Sequence, residues 1–438
     1  MAGRYKPYSE YKHSGVEWLG DIPNQWKLCR LKFMAKIKNG QDYKSVEAEE
    51  GYPVIGSGGQ FTYASKFTYD RESVLLGRKG TIDKPLYINE PFWTVDTMYY
   101  TEVNRDVYPK YLYYLALTIQ FGRYSTNTAL PSMTQEHLGN YFFASPSGEI
   151  EKKTIGNFLD HETAKIDTLI EKQQQLIQLL KEKRQAVISH AVTKGLSTLN
   201  GGPNAKLRDS GVEWLGEVPE HWEIIPLKYL CTFSGGGTPS KDNLSYWTDG
   251  DIPWVSPKDM KSFWLSNTQD KITEKAVFES STNLVQIGAL LMVVRSGILQ
   301  RTIPIAINSV RVTLNQDMKA LRFNSRMNAE YAANFILGCE QSLLLEWSKE
   351  GATVESIEHE YLSNGLFPVP PIEEQILINK KILDRMKVFQ KLENNAARGI
   401  ALLQERRTAL ISAAVTGKID VRDWVAPKAS PTHTEVAA

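Results

Sequence analysis

The sequence predicts an α+β protein: two globular mixed α/β domains separated by two long antiparallel coiled-coil helices, forming a tandem repeat with pseudo-twofold symmetry. First, the segment SGVEWLG occurs at residues 14–20 and again, unchanged, at residues 210–216. Second, LLKEKR at 179–184 is followed by the related LLQERR at 402–407. Third, glycine and proline nearly vanish from two long stretches of the chain. Two copies of one plan therefore follow each other along 438 residues.

The first globular domain is predicted at residues 1–150. Its short apolar runs, such as 73–76 and 86–88, are broken by glycine and proline, which is typical of strands joined by loops. A helix is predicted over residues 108–121. The region therefore indicates a domain of mixed α and β structure.

The first long helix is predicted over residues 151–193, where Glu, Lys, Gln and Leu dominate. Apolar side chains recur every seven residues, with Gln173 as a polar interruption, and Leu169 and Leu176 occupy companion positions three residues after members of this ladder. The ladder consists of Leu159, Ile166, Leu180 and Val187. Such a repeat predicts a coiled coil.

The second globular domain, residues 207–371, has the same texture as the first. Strands are predicted near 288–295 and 303–307, and a helix near 329–347. A linker at residues 194–206 joins the first helix to this domain. The second domain is thus a diverged copy of the first.

The second long helix is predicted over residues 372–418, with Leu392 beside its own seven-residue ladder. The ladder consists of Ile382, Phe389, Ala396, Leu403 and Leu410. A helix of roughly 43 residues spans about 65 Å, and the linker is short. The second helix must therefore return along the first, which predicts an antiparallel pair with a domain near each end. The tail at residues 425–438 is predicted to be disordered.

The charge of the chain is close to balanced, with a formal net charge of +1, but it is unevenly distributed. Residues 201–371 carry 15 lysines and arginines against 20 acidic residues, a net charge of −5. Proteins that bind nucleic acid unaided usually show a basic excess, so a DNA-binding role predicts that a partner supplies part of the phosphate contact. The absence of a long apolar stretch or secretion signal, with three cysteines that suggest no pairing, predicts a cytoplasmic protein.

Catalytic motifs are missing from the sequence. There is no phosphate-binding loop of the GxxxxGK[ST] type, and the only Pro-Pro lies at residues 370–371, without the acidic or amide residue that an amino-methyltransferase loop needs. The glycines at 235–237 are followed by Thr238 and Pro239 and lack the helix of a nucleotide-binding loop. The seven histidines show no metal-ligand spacing. We therefore expect no catalytic residue, no metal site and no bound cofactor.

The repeated SGVEWLG signature with Pro23 and Trp26 resembles that of the specificity subunits of type I restriction–modification systems. So do the PPIEEQ entry to the second helix at 370–375 and the shared Ala-Val-Thr after both helices. The resemblance implies two target recognition domains, each of which reads one half of an asymmetric, split DNA site. It also implies two modification subunits that methylate adenine with S-adenosylmethionine. Two restriction subunits that use ATP with Mg²⁺ complete some complexes of this family.

The resemblance further implies DNA-facing loops in both domains. The family's glycine–threonine–proline loop is matched at 235–240 and, loosely, at 56–60. A second loop at 77–81 is matched with 295–297, so that Arg78 is aligned with Arg295. A third loop precedes the last strand of each domain, at 125–129 with Ser132 and at 351–355 with Ser356. Side chains of these loops are suited to base edges and phosphates. The candidates are Gly56, Ser57, Gln60, Arg78, Lys79, Thr81, Thr126, Asn127, Ser132, Thr238, Ser240, Lys241, Arg295, Ser296, Gln300, Arg301, Thr353 and Ser356. Each could instead be an ordinary residue of a surface turn.

Two further groups of side chains have competing interpretations. The four tryptophans of the repeated signature, Trp18, Trp26, Trp214 and Trp222, are expected to anchor domains rather than stack on bases. Basic residues near the helix ends either form a solvated face or bind the modification subunits; they are Lys181, Lys183, Arg184, Arg406 and Arg407.

Two other functions remain alternatives at this stage. One is an enzyme that methylates or cuts DNA on its own. The other is a coiled-coil scaffold whose terminal domains bind protein or glycan.

Overall fold

The computed structural model describes residues 5–123, 131–196, 206–348 and 354–427. The chain divides into two compact units, one formed by residues 1–174 with 397–438 and the other by residues 175–396. We call them unit 1 and unit 2. Each contains one of the copies of the SGVEWLG signature.

Unit 1 contains twelve strands in its described part. They are β1 (Tyr11–His13), β2 (Asp21–Pro23), β3 (Lys27–Arg30), β4 (Ala35–Asn39), β5 (Glu47–Ala48), β6 (Tyr52–Gly56), β7 (Gly59–Ala64), β8 (Ser73–Gly77), β9 (Leu86–Ile88), β10 (Trp93–Thr94), β11 (Met98–Val103) and β12 (Phe142–Ser145). Its helices are α1 (Pro109–Ala116), α2 (Gln135–Asn140) and the first part of the long α3 (Glu149–Lys194). Helix α1 starts on a proline, whose missing N–H costs nothing in the first turn.

Two four-stranded sheets form the centre of unit 1. The larger has the order β4-β11-β8-β9 and the smaller β10-β6-β7-β5. Strand β8 is buried along its whole length, as its run of valine and leucine indicates, whereas β4 alternates between buried and exposed residues. Helix α1 packs its buried Tyr111 and Leu112 into the core that β8 lines. The core therefore lies between this sheet and the helices.

Unit 2 repeats this arrangement. Its strands are β13 (Leu207–Asp209), β14 (Glu217–Pro219), β15 (Glu223–Pro226), β16 (Cys231–Gly235), β17 (Ile252–Val255), β18 (Trp264–Leu265), β19 (Asp270–Ile272), β20 (Leu290–Val293), β21 (Ile305–Asn308), β22 (Thr313–Leu314), β23 (Met318–Phe323) and β24 (Leu366–Val369). Its helices are α4 (Glu274–Glu279), α5 (Ala329–Gly338), α6 (Glu340–Trp347), α7 (His359–Asn364) and most of the long α8 (Ile372–Val415). The single helix expected near 329–347 is interrupted at Cys339, so it forms α5 and α6.

The central sheets of the two units share the order of four strands, and unit 2 adds a fifth strand, β18, at one edge. The central sheet of unit 2 has the order β16-β23-β20-β21-β18, so β16, β23, β20 and β21 correspond to β4, β11, β8 and β9. In the smaller sheets, β6 pairs in parallel with β10, and β17 pairs in parallel with β22. The shared strand order and pairing relate the residues of these strands in the two units.

Helices α3 and α8 pack against each other in antiparallel fashion within each unit. In unit 1, Asp167 of α3 binds Arg407 of α8, and a Cβ added at Gly399 would lie 4.0 Å from the Gln173 side chain. In unit 2, Ile188 of α3 shares a core with Ile382 of α8. As the α3 number rises, the α8 number falls, which confirms the expected pairing.

The ladder residues lie on the buried side of the helices, but the expected companion positions are wrong. Leu169 and Leu176 are 48% and 42% exposed, and Leu392 is 44% exposed. The half-buried positions follow four residues after ladder members, at Ile170 and Ile177 in α3. With 3.6 residues per turn, positions three and four residues on lie on opposite sides of a ladder residue, and only one side faces the partner helix here.

The signature tryptophans anchor the cores, as expected. Trp26 and Trp222 are buried, and the Trp26 Nε1 donates to the Glu151 carboxylate of α3 over 2.9 Å. Trp18 packs against Tyr141 and Trp214 against Phe335. Each signature thereby connects the start of a domain to the body of its unit.

In the described part of the chain, no helix has both the length and the apolar character needed to cross a membrane.

Candidate DNA interface

The predicted DNA-facing loops of unit 1 meet at the connection between β10 and β11. This connection consists of residues 95–97, which we call the hub segment of unit 1. The backbone N–H groups of Arg78 and Lys79 both donate to the Thr97 carbonyl, over 2.9 and 3.2 Å. The Ser57 N–H donates to the Thr97 hydroxyl over 3.4 Å. Two loops that are distant in sequence therefore share one anchor.

The third loop of unit 1 joins the second by main-chain pairing. Lys79 and Ser132 form an antiparallel bridge, and the Met133 N–H donates to the Arg78 carbonyl over 2.9 Å. The Gly80 N–H donates to Pro131 over 3.0 Å. Because these contacts use backbone groups, they hold the loops in place whatever side chains the loops carry.

The same arrangement occurs in unit 2, around residues 315–317 between β22 and β23, the hub segment of unit 2. The N–H groups of Val294 and Arg295 donate to the Asp317 carbonyl over 2.8 and 3.3 Å. Arg295 and Ser356 form an antiparallel bridge. The Ile357 N–H donates to Val294 over 2.8 Å. Each bond has its counterpart in unit 1.

This register corrects one expected correspondence. The motif Arg-x-Gly aligns Arg78 with Arg295. The hydrogen bonds instead make Lys79 of unit 1 equivalent to Arg295 of unit 2, because each forms a bridge with a serine of the third loop in its own unit. Arg78 corresponds to Val294. In this register Gly80 corresponds to Ser296 and not to Gly297, so matching the glycines of the motif shifts the alignment by one residue.

The glycine-rich loop of unit 2 also has a different counterpart from the one expected. A Cβ at Gly236 would lie 2.1 Å from the Asn315 carbonyl oxygen, and one at Gly40 would lie 2.0 Å from that of Val95. Gly237 and Gln41 then donate their N–H groups to the last residues of β22 and β10, over 2.9 and 2.8 Å. The counterpart of the loop at 235–240 is therefore the loop that starts at Gly40.

The segment at 56–60 belongs elsewhere in the alignment of the units. Ile55 pairs with Thr94 as Val255 pairs with Leu314, so Gly56 corresponds to Ser256. Glycine content alone suggested the wrong match. The 196-residue shift of the SGVEWLG signature carries Gly236 onto Gly40, and this was the available signal for the loop that the sequence reasoning missed.

The structure brings some candidate residues together and leaves others apart. In unit 1, Ser57, Arg78, Lys79 and Ser132 lie around the hub, Gly56 ends β6, Gln60 lies on β7 and Thr81 follows the second loop. In unit 2, Thr238, Arg295, Ser296 and Ser356 have this position. Ser240 and Lys241 are exposed further along the glycine-rich loop. Thr126, Asn127 and Thr353 lie outside the described residues.

Gln300 and Arg301 are set apart from the hub of unit 2. They end a short 3₁₀ helix, Gly297–Gln300, and line a cavity whose wall includes Glu355, Glu358 and Glu360. The acidic wall makes this part of unit 2 poorly suited to a phosphate.

The cations near the hubs differ in how firmly they are held. The Arg78 guanidinium lies over the Tyr99 ring at 5.9 Å, and its Nη1 donates to the Asp96 carbonyl over 3.3 Å. Lys79 and Arg295 are exposed. In unit 2, burial lowers the pKa of Lys319, although the nearby Glu358 carboxylate acts in the opposite direction.

The candidate docking residues on the long helices have different environments. Lys181, Lys183 and Arg406 are exposed, and Arg184 is half-buried. The Arg407 Nε donates to Asp167 over 2.9 Å, so this side chain already links the two helices. Arg407 is therefore not part of an exposed basic face of the helix, which was one of the two expected roles.

In the part of the chain that the structure describes, no cluster of three or more histidine, cysteine, aspartate or glutamate side chains has the geometry to bind a metal ion. The cysteine thiols at 231 and 339 are buried, and burial raises the pKa of each to about 12, which disfavours the thiolate that binds metals.

The fold and the two hubs define a class of protein: a tandem repeat of one loop-bearing domain, in which the loops of the two copies carry different side chains. Comparison with known families gives the particular assignment. The family described as type I restriction modification DNA specificity domain matches residues 23–179 and 219–402, and the chain belongs to this family. The two matches together cover most of the chain and fall one in each repeat.

Curated relatives agree with this assignment. The EcoR124I/EcoR124II specificity subunit of Escherichia coli is 36% identical over 195 residues, which is 44% of this chain and 44% of that protein. The MjaIX specificity subunit of Methanocaldococcus jannaschii is 28% identical over 194 residues. These alignments span less than half the length of either relative. The EcoBI specificity subunit of Escherichia coli aligns over 94% of this chain and 90% of its own length, at 23% identity.

Solved structures share the fold. One comes from work on the structural basis of complex assembly and conformational transition of the type I R-M system. It aligns with a TM-score of 0.63 at 16% identity, and the alignment covers 91% of this chain and 99% of the other chain. The HsdS subunit of Thermoanaerobacter tengcongensis has a TM-score of 0.54 and 13% identity, and covers 93% of this chain and 100% of that one.

Proposed function

We propose that this chain is the DNA-sequence-specificity subunit of a type I restriction–modification complex. Each unit reads one half of a bipartite DNA site, and the long helices set the number of unread base pairs between the halves. The observation that carries the proposal is the repeated hub: the second and third loops are joined to each other and to the hub segment by equivalent main-chain bonds in both units, but they carry different side chains. Different side chains on one frame favour two different half-sites.

The chemistry of the complex belongs to its partners in this proposal. Two modification subunits would bind α3 and α8 and methylate adenine with S-adenosylmethionine. Two restriction subunits, where they are present, would use ATP with Mg²⁺. This chain itself would be non-catalytic and bind no cofactor, and it would act in the cytoplasm of a prokaryotic cell, where its DNA lies.

The charge of the chain supports DNA binding that is shared between this chain and a modification subunit. Unit 2 contains the whole of the region 201–371, which has a net charge of −5. Affinity for duplex DNA depends strongly on the number of phosphates that lysine and arginine neutralise. A modification subunit that contacts the backbone would supply the cations that this region lacks.

The test is methylome sequencing of cells that carry the modification subunit with and without this chain. We expect N6-methyladenine at one asymmetric, split motif only when the chain is present. Methylation that is independent of the chain would contradict the proposal and favour a scaffold with protein- or glycan-binding domains. Methylation or cleavage by the purified chain alone would instead favour an enzyme.

A further inference from the structure

The hub segments themselves present one side chain each to solvent. In unit 1, Val95 is buried and Thr97 is half-buried, whereas Asp96 between them is exposed. In unit 2, Asn315 is buried and Asp317 half-buried, and Gln316 is exposed. The loops around each hub thus converge on a segment from which a single residue projects.

Asp96 and Gln316 are equivalent positions of the two units. Both lie two residues before the strand that follows, β11 or β23, and two residues after β10 or β22. The hydrogen bonds on either side agree: Val95 donates its N–H to Ile55 over 3.2 Å, and Asn315 donates to Val255 over 2.9 Å. The hydrogen-bond register therefore excludes an alignment of the two hub segments that is shifted by one residue.

The Asp96 side chain is exposed, unlike the residues on either side of it. Among the residues that the structure describes, its oxygens have no hydrogen-bond or ion-pair partner, and Arg78 binds the Asp96 main-chain carbonyl instead. A carboxylate at a surface that meets DNA is repelled by the phosphates. It is tolerated there when it accepts a hydrogen bond from a base.

The Gln316 amide is oriented by its neighbour. The Thr238 hydroxyl of the glycine-rich loop donates to Gln316 Oε1. The amide nitrogen is then left to donate, and the second lone pair of the oxygen is left to accept. This pair of functions matches adenine, which offers N7 as an acceptor and the N6 amino group as a donor in the major groove.

We propose that Asp96 and Gln316 are the central base-reading residues of unit 1 and unit 2. This inference rests on the proposed function. Asp96 accepts a hydrogen bond from an amino group, so it selects cytosine or adenine over guanine or thymine at one position of the first half-site. Gln316 selects adenine at one position of the second half-site.

The first test uses Asp96→Asn in the complete methyltransferase complex. Asparagine keeps the size of the side chain but can also donate, so the variant should accept guanine or thymine at one position of the first half-site. The second half-site should stay unchanged. Asp106→Asn is the matched control, because Asp106 is another exposed aspartate of unit 1, away from the hub.

Binding to a panel of duplex oligonucleotides, each with one base pair of the site replaced, gives a second measurement. For the unmodified complex, exchanging the selected amino base should weaken binding by about 10-fold or more. For Asp96→Asn the loss at that position should fall below about threefold, with the other positions unaffected. An unchanged panel would overturn the inference. Loss of all binding by the folded variant would overturn it too, since asparagine retains an acceptor.

The second test uses Gln316→Glu, which removes the donor. The preference for adenine at one position of the second half-site should relax to cytosine or adenine, since a carboxylate accepts from the amino group of either base. Gln269→Glu, at an exposed glutamine of unit 2, is the control. If wild-type complexes recognise no motif, the proposed function fails; if they recognise one that neither variant alters, only this inference fails.

Discussion

Arg407 of α8 lies with its Nε 2.9 Å from the Asp167 Oδ1 of α3, which ties the two long helices together within unit 1. The arginine side chain is 28% exposed and that of the aspartate 46%. The pair is therefore partly shielded from solvent.

Replacing Arg407 with alanine should lower the free energy of unfolding by about 0.2–1 kcal/mol, because a partly exposed ion pair contributes little more than that. Thermal or chemical unfolding of the chain measures the change. Arg406→Ala, at the exposed neighbour, should leave stability as it is. A variant at 407 that is fully stable but no longer binds the modification subunit would show that Arg407 serves docking instead.

Replacing Gly236 with alanine should disturb the hub of unit 2. The new Cβ would meet the Asn315 carbonyl oxygen at 2.1 Å, and backbone cannot move aside as a side chain can. Overpacking of this kind costs about 1–3 kcal/mol. We expect a lower melting temperature and weaker recognition of the second half-site. Gly235→Ala is a stringent control, since a Cβ there meets nothing within 4 Å; equal effects at both positions would refute the explanation.

Exchanging residues 40–145 for the same region of another family member should change the first half-site and leave the second intact. The exchanged segment contains all described loops of the unit 1 hub. Both partners of every hydrogen bond that holds these loops to the hub lie within the segment. Methylome sequencing of the chimera gives the result. A change in both half-sites would mean that the units do not read independently.

Shortening both helices by one heptad should shorten the spacer between the half-sites. Residues 168–174 and 399–405 are a suitable pair, because Gln173 faces Gly399 and their joint removal keeps Asp167 opposite Arg407. Seven residues correspond to about 10 Å of helix, or about three base pairs. Removing only one of the two segments should break the ladder contacts and destabilise the chain. An unchanged spacer after the double deletion would eliminate the helices as the ruler.

Much of the fold was accessible from the sequence because repeats and periodicity are local signals. The identical signatures placed the two domains, and the ladder through Leu159 and Ile166 located the buried side of α3. The companion positions failed because leucine at 169 and 176 satisfies the same pattern as isoleucine at 170 and 177. Which of them faces the second helix depends on packing, which no single helix encodes.

The candidate site was harder to derive. Arginine and glycine mark loops, but the correspondence of Lys79 with Arg295 depends on hydrogen-bond register across a sheet. Asp96 escaped notice because nothing in its neighbours, valine and threonine, marks a contact residue. Its importance emerges from the meeting of loops that are about 20 to 75 residues apart in the chain, which only tertiary structure brings together.

Main-chain N–H and C=O groups fasten each hub, and every amino acid except proline offers both. A mutation at Asp96 therefore changes the exposed chemical group and keeps these main-chain bonds, whereas a mutation at Gln316 also alters the bond from the Thr238 hydroxyl. In the proposed function, a single substitution at such a position changes the DNA target while the main-chain bonds that hold the loops remain.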